Sequence, residues 1–307
     1  MENKESFSKS SIIYAKIQWA LVFFIFFIDV VWISFSSFKL YYDFRDLWLY
    51  VLILLSLYIP YLFYKKYRPN LKIMAALLSS CWLLSYSGAA LVLSYLADTT
   101  NAPLVTAHLA SLDHYLGVYS PSVVIWGKEN EWINSILVFS YACFLLQKPF
   151  VLLYFSFVGK IEYQQNFMMQ YMIAGLLTII LGAVFPAEGT YAWYHFQPSV
   201  SQSGDLKSLY DVRNHIIDLR NLTGIIEFPS FHTVMGALTI YIFRNEQKVI
   251  FIPILILNIL LFVSCVSHGG HFLMDVLGGI LVAAVAIGIE ALIFKSIKRV
   301  SLKKVSR

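Results

Sequence analysis

Charge is scarce in this chain. Asp, Glu, Lys and Arg make up 13% of its 307 residues, against about 25% in an ordinary soluble domain. Hydrophobic residues reach 59% and the mean hydropathy is +0.68, which excludes a soluble globular protein of this length. Cysteine is scarce too. Cys81, Cys143 and Cys265 each lie in an apolar run, with no CxxC pair, so neither a disulfide framework nor a thiolate metal site is indicated. No internal repeat and no low-complexity tract breaks the chain, which points to a single membrane domain over residues 1–307. The polar N-terminus has no small-residue cleavage pattern after its apolar run, so the first span is expected to stay in the mature protein. The net charge of +5 is no mark of a nucleic-acid partner, because in such a chain Lys and Arg report orientation.

What is present is a series of long apolar runs. Spans are expected at residues 11–36, 47–64, 71–97, 132–158, 167–185, 229–243, 248–266 and 272–294, each needing about 20 residues to cross the hydrocarbon. The fold class is therefore all-α, a polytopic membrane helical bundle of about eight spans. The run at 229–243 is short for a crossing and would have to start below the headgroups. Between the third and fourth spans, Val105, Leu109, Leu112 and Leu116 share one helical face beside Asp113 and His114, the pattern of an amphipathic helix at the interface. The polar stretch 186–227 carries Tyr191, Trp193 and Tyr194, aromatics expected at headgroup level.

The charges alternate with the spans. Lys4, Lys9 and Lys16 precede the first, Lys65, Lys66, Arg68 and Lys72 follow the second, and Lys160 follows the fourth. Arg244 and Lys248 follow the sixth, and Lys295, Lys298, Arg299, Lys303, Lys304 and Arg307 follow the eighth. The opposite loops keep Lys39, Arg45, Lys128, Lys207, Arg213 and Arg220. That bias predicts a multi-pass protein of the plasma (inner) membrane with both termini in the cytoplasm.

Two polar clusters stand out in the last third. Phe228-Pro229-Ser230-Phe231-His232 opens the sixth span and Ser267-His268-Gly269-Gly270-His271-Phe272-Leu273-Met274-Asp275 opens the eighth. One span down and one back separates them, which brings His232 and His271 to the same, extracytoplasmic face. His271 and Asp275, four apart at a helix start, share a face. The carboxylate can fix the imidazole's tautomer and leave its other nitrogen free as base or nucleophile, or the two can form a satisfied structural pair. Gly270 lets an anion approach backbone N–H groups at a helix start, and Ser230 can bind a phosphate oxygen or cap its helix. His232 can serve as a general acid or sit as an interfacial histidine. Together the two histidines suit phosphoryl transfer without metal, one attacking phosphorus and one protonating the leaving oxygen. Charge neutralisation on the phosphate then falls to Arg213, ahead of Arg220 and Lys207.

These residues carry a resemblance. Pro229-Ser230-Phe231-His232 followed by Gly270-His271-x-x-x-Asp275 resembles the type-2 phosphatidic acid phosphatase (PAP2) superfamily, and within it the branch of inositol phosphorylceramide synthases and related bacterial membrane proteins. The likeness covers about 104–279, including Leu112-Asp113, Leu116-Gly117, Phe185-Pro186-Ala187 and the stretch from Gly224, inside a catalytic half of about 104–295. It implies His271 as the nucleophile that forms a phosphohistidine, Asp275 as its orienting partner and His232 as the acid. It implies no cofactor. The substrate would be a phospholipid, or an isoprenoid or sphingolipid phosphate, taken from the bilayer. The superfamily's soluble members and many of its lipid phosphatases also carry Lys-x6-Arg-Pro and a Ser-Arg pair ahead of the nucleophile. Here Arg68-Pro69 has Tyr61 where that lysine would stand, and Ser264-Cys265 replaces the pair. Two phosphate-gripping arginines are thus missing.

Other readings compete. A metal enzyme would use His268, His271 and Asp275, although Gly269-Gly270 interrupts the helix that would align them. A lipid transporter or scramblase without catalysis would use the intramembrane charges Asp29 and Lys148, for which a mutual pair or a pocket is expected, away from both clusters in depth. Glu290 is expected to snorkel to the cytoplasmic interface.

Overall fold

The structure, a computed structural model, describes residues 2–303, and the side chains of residues 11–299. Lys4, Lys9, Lys303, Lys304 and Arg307, used in the charge count, lie outside the described side chains. The apolar runs become helices: α1 (Glu2–Phe35), α2 (Phe44–Tyr67), α3 (Leu71–Asp98), α6 (Glu131–Ala142), α7 (Phe144–Val158), α8 (Ile161–Val184), α11 (Phe231–Phe243), α12 (Lys248–Ser267) and α13 (Leu273–Lys303). Short helices fill the polar stretches: α4 (Thr106–Tyr115), α5 (Ser120–Glu129), α9 (Thr190–Trp193) and α10 (Val200–Arg213). Their starts follow local chemistry, as where Asn70 accepts from the N–H groups of Lys72 and Ile73 to cap α3.

Six helices are long and apolar enough to cross a membrane, and α6 with α7, bent by 50° at Cys143, makes a seventh. The fourth expected span is therefore broken. Pro149 inside α7 has no N–H for the carbonyl of Leu145, which loosens the turn that follows the break. The short run becomes α11, 13 residues long, about 20 Å against a hydrocarbon core of about 30 Å. It is shielded rather than shortened by lipid, since Val234, Met235, Leu238 and Phe243 are all buried in the central core. α8 lies at the heart of the bundle, whereas α2 buries no residue and packs on α3 alone among the long helices.

The connections alternate between two ends. Lys160, after α7, pairs with Glu246 in the α11–α12 turn (2.5 Å), and the Lys72 side chain lies beside Gly159. At the other end Lys39–Tyr41 (β1) pairs in parallel with Ile216–Asp218 (β2), and Asn101 donates to the Arg213 carbonyl (2.8 Å). This ladder was not expected, because three residues are too few to show alternation.

The helix expected from Val105, Leu109, Leu112 and Leu116 is α4, and a further short helix, α5, follows it after Gly117 with φ +77°. α4 turns Thr106, Leu109, Ala110 and Asp113 inward and leaves Leu112 and Leu116 exposed, so the outer pair, not the whole stripe, faces the interface. Of the three aromatics expected at headgroup level, Trp193 is exposed but Tyr191 is buried. Glu290 does not snorkel. It is buried where α1, α8 and α13 meet and accepts from Tyr14 Oη (2.7 Å) and Gln170 Nε2 (3.1 Å).

Candidate active site

The site is built where α11 and α13 start side by side. α12 returns between them in sequence, antiparallel to α11, with Ser230 and Thr233 both 3.9 Å from Cys265 Sγ. Contact between the starts is close because of a missing side chain: a Cβ on Gly279 would fall 2.6 Å from the Ser230 carbonyl. The Ser230 N–H then donates to the Asp275 carbonyl at 3.0 Å, which fixes the two clusters in register.

This packing brings the two imidazoles together. The His232 and His271 ring centroids are 5.7 Å apart, at an interplanar angle of 59°. His232 lies between the rings of Tyr141 (4.4 Å) and Phe144 (4.1 Å), one on each side of the α6–α7 break. The break is thus the reason both rings reach it. Stacking sets the plane of His232, and among the described residues neither of its nitrogens has a hydrogen-bond partner.

His271 lies in the short turn between α12 and α13. Its N–H donates to the Cys265 carbonyl (3.0 Å), and Gly269 before it takes φ +71°, a left-handed conformation that favours glycine. Nδ1 sits 3.3 Å from Asp275 Oδ2 and 3.2 Å from Glu227 Oε2. It is shared between the carboxylates rather than aimed at either, and Nε2 is left as the nitrogen for chemistry. Burial pulls the imidazole pKa down, but the pairing with Asp275 and the charges of Glu227 and Asp275 outweigh it, so the net shift is upward. Burial pushes the Glu227 carboxyl up to about 8, opposed by His271 and reinforced by Asp275 and Asp205.

Asp275 is itself held, with Oδ2 accepting the Phe272 N–H at 2.8 Å. A second carboxylate, reaching across from α4, completes the helix start. Asp113 accepts the N–H groups of Leu273 (2.7 Å) and Met274 (2.9 Å), the orphan donors of the first turn of α13. Asp113 is fully buried, and its burial raises its pKa against the lowering effect of those N–H groups and of Ser120.

Of the other residues singled out from sequence, Ser230 is buried at the N-cap of α11 without capping it. Gly270 is open, since an added Cβ would meet nothing closer than 3.8 Å. Arg213 gives Nη2 to the Ala102 carbonyl (3.0 Å), with Asp98 as its carboxylate neighbour, and its Nη1 is buried without a partner among the described residues. Arg220 is held by Asp218 and Lys207 by Asp211. His268 is turned onto the Ser264 carbonyl (2.9 Å), and among the described residues no three His, Cys, Asp or Glu side chains form a metal-ligand group. Asp29 and Lys148 do not pair; Asp29 is buried on α1 with Oδ1 unpartnered, while Lys148 lies beside Phe144, close enough for its charge to act on His232. The expectation that Lys148 sits away from the clusters fails because the break at Cys143 redirects α7.

Sequence reasoning missed Glu227 and the capping role of Asp113. Glu227 stands just ahead of the Phe-Pro-Ser-Phe-His motif, and that proximity was its one signal. In the sequence Asp113 shows as a polar neighbour of an apolar stripe and as part of the family-like Leu112-Asp113 pair, with no sign of what it caps.

Against this geometry the comparison with known families is decisive. The family model of the PAP2 superfamily matches residues 107–289. The chain belongs to the PAP2 superfamily. Its matched region begins in α4, ends in α13 and contains both histidines, Asp113, Glu227 and Asp275. No curated protein and no solved structure matches the chain. PAP2 membership and a bundle of membrane helices fit a membrane lipid phosphatase.

Proposed function

We propose that the protein is a lipid phosphatase or phosphotransferase that works through a phosphohistidine on His271. The observation that carries this is the convergence of two buried imidazoles, 5.7 Å apart, one of them tied to carboxylates through Nδ1. In the first half-reaction Nε2 of His271 bonds to phosphorus as the phosphorus–oxygen bond to the leaving group breaks. His232 gives its proton to that oxygen. In the second, His232 takes the proton of an acceptor hydroxyl, whose oxygen bonds to phosphorus as the nitrogen–phosphorus bond breaks. Asp275 holds the Nδ1 proton and stabilises the imidazolium character that develops on His271, with the Glu227 carboxyl beside it. Ser230 and the open backbone at Gly270 line the phosphate.

The substrate is a phospholipid, or an isoprenoid or sphingolipid phosphate, entering from the bilayer. The acceptor is water or the hydroxyl of a second lipid, as in the inositol phosphorylceramide synthase branch that the motifs resemble. The site opens to the extracytoplasmic face of the plasma (inner) membrane, with both termini in the cytoplasm, because the end carrying Lys72, Lys160 and Lys248 has the excess of positive charge. Purified protein given lipid phosphates labelled at phosphorus should release labelled phosphate or a labelled second lipid. His232→Ala and Asp275→Ala should lower that turnover in folded protein. Wild-type turnover in both variants would refute this reading.

A further inference from the structure

The proposed chemistry needs a cation. Arg220 is paired with Asp218 and Lys207 with Asp211, while Arg213 gives Nη2 to the Ala102 carbonyl and keeps a buried, unpartnered Nη1 beside Asp98. Lys148 differs. Its ammonium has no carboxylate and no hydrogen-bond partner among the described residues; it rests on the face of Phe144, 4.7 Å from the ring centroid. The same ring packs 4.1 Å from His232. Phe144 and Lys148 are one turn apart on α7, so the helix that presents the ring also presents the charge. On that turn Gln147 is buried with both amide atoms unpartnered.

An ammonium set in a membrane bundle without an anion is costly, by a few kcal/mol even on insertion scales. Asp29, the acidic residue within the first four expected spans, is not its partner, and its own Oδ1 is unmet. The anion has to come from outside the chain, and the group proposed to dock beside His232 is a phosphate. We propose that Lys148 is the cation that binds the phosphate beside His232, in place of the arginines this chain lacks. This rests on the lipid-phosphate reading. Lys148 supplies charge to the phosphate oxygens from the His232 side, while the carboxylates of Glu227 and Asp275 lie on the His271 side.

The test is binding of inorganic phosphate and of orthovanadate to the full-length protein in detergent, read as thermal stabilisation against ligand concentration and independent of turnover. Lys148→Met should weaken both ions by about tenfold or more, and Lys148→Arg should recover most of the loss. Asp29→Asn should leave binding as in the wild type. If the Met variant does not fold, Lys148→Gln, which keeps a polar end, is read in its place. Wild-type affinity in the uncharged variant, or no ion binding by the wild type, overturns the assignment. Turnover of phosphatidic acid in the same samples is scored separately. Ion binding that depends on Lys148 in a protein that turns over no lipid phosphate supports the cation site while removing the enzymatic reading.

Discussion

α13 carries two buried carboxylates, Asp275 in its first turn and Glu290 past its middle, and the two are held differently. Glu290 accepts from a phenol and an amide, Tyr14 and Gln170, both neutral donors fixed on other helices. Asp275 accepts a backbone N–H and faces an imidazole that a second carboxylate also approaches. Burial alone therefore does not separate structure from chemistry along this helix. The kind of partner does: neutral donors make a lock among α1, α8 and α13, whereas a titratable partner makes a place where protons can move.

Several substitutions would break or sharpen that contrast. His271→Asn removes the nucleophilic nitrogen and should cost on the order of a thousandfold or more in kcat, with the melting temperature little changed; a phosphate-release assay beside a thermal melt checks both. Asp113→Ala strips two N–H groups of their acceptor at the start of α13 and should lower stability by about 1–2 kcal/mol. Its kcat should fall as well, about tenfold or more, because a frayed first turn misplaces Asp275. Chemical denaturation and steady-state kinetics on one preparation would show whether the two losses travel together.

How far the chain could be read beforehand follows the range of the interactions. The long spans were legible because hydropathy is a local property, and the pairing of His232 with His271 followed from counting one crossing down and one back. The break at Cys143 was not legible, since the helix-breaking Pro149 lies six residues later and the run stays apolar through the bend. Nor were Asp113 and Glu227. Asp113 acts on N–H groups 160 residues away, and Glu227 reaches His271 from a loop that Gly278 and Gly279 let lie close against α13, at Phe228–Pro229 and at Ser230. A mutual pair or a pocket is expected for Asp29 and Lys148 because a lone intramembrane charge is costly, but hydropathy holds no information on which helix faces meet.

Smaller effects complete the comparison. Glu227 keeps its proton up to about pH 8 and ionises above it, where it adds negative charge beside His271, Asp275 and Asp205. KM for an anionic lipid should therefore climb severalfold as pH passes that value, and Glu227→Gln should flatten the rise; a KM profile across that range decides it. Glu290→Gln should cost about 1–2 kcal/mol of stability through one poorer acceptor, with kcat unchanged. Loss of activity in that folded variant would mean that the lock and the site are coupled.

The most direct measurement is the isolation of the phosphorylated protein. Brief incubation with a lipid phosphate labelled at phosphorus, an alkaline quench and peptide mapping should place the label on His271, with none in His271→Asn. Label on any other residue, or full turnover in the Asn variant, would contradict the two-imidazole mechanism.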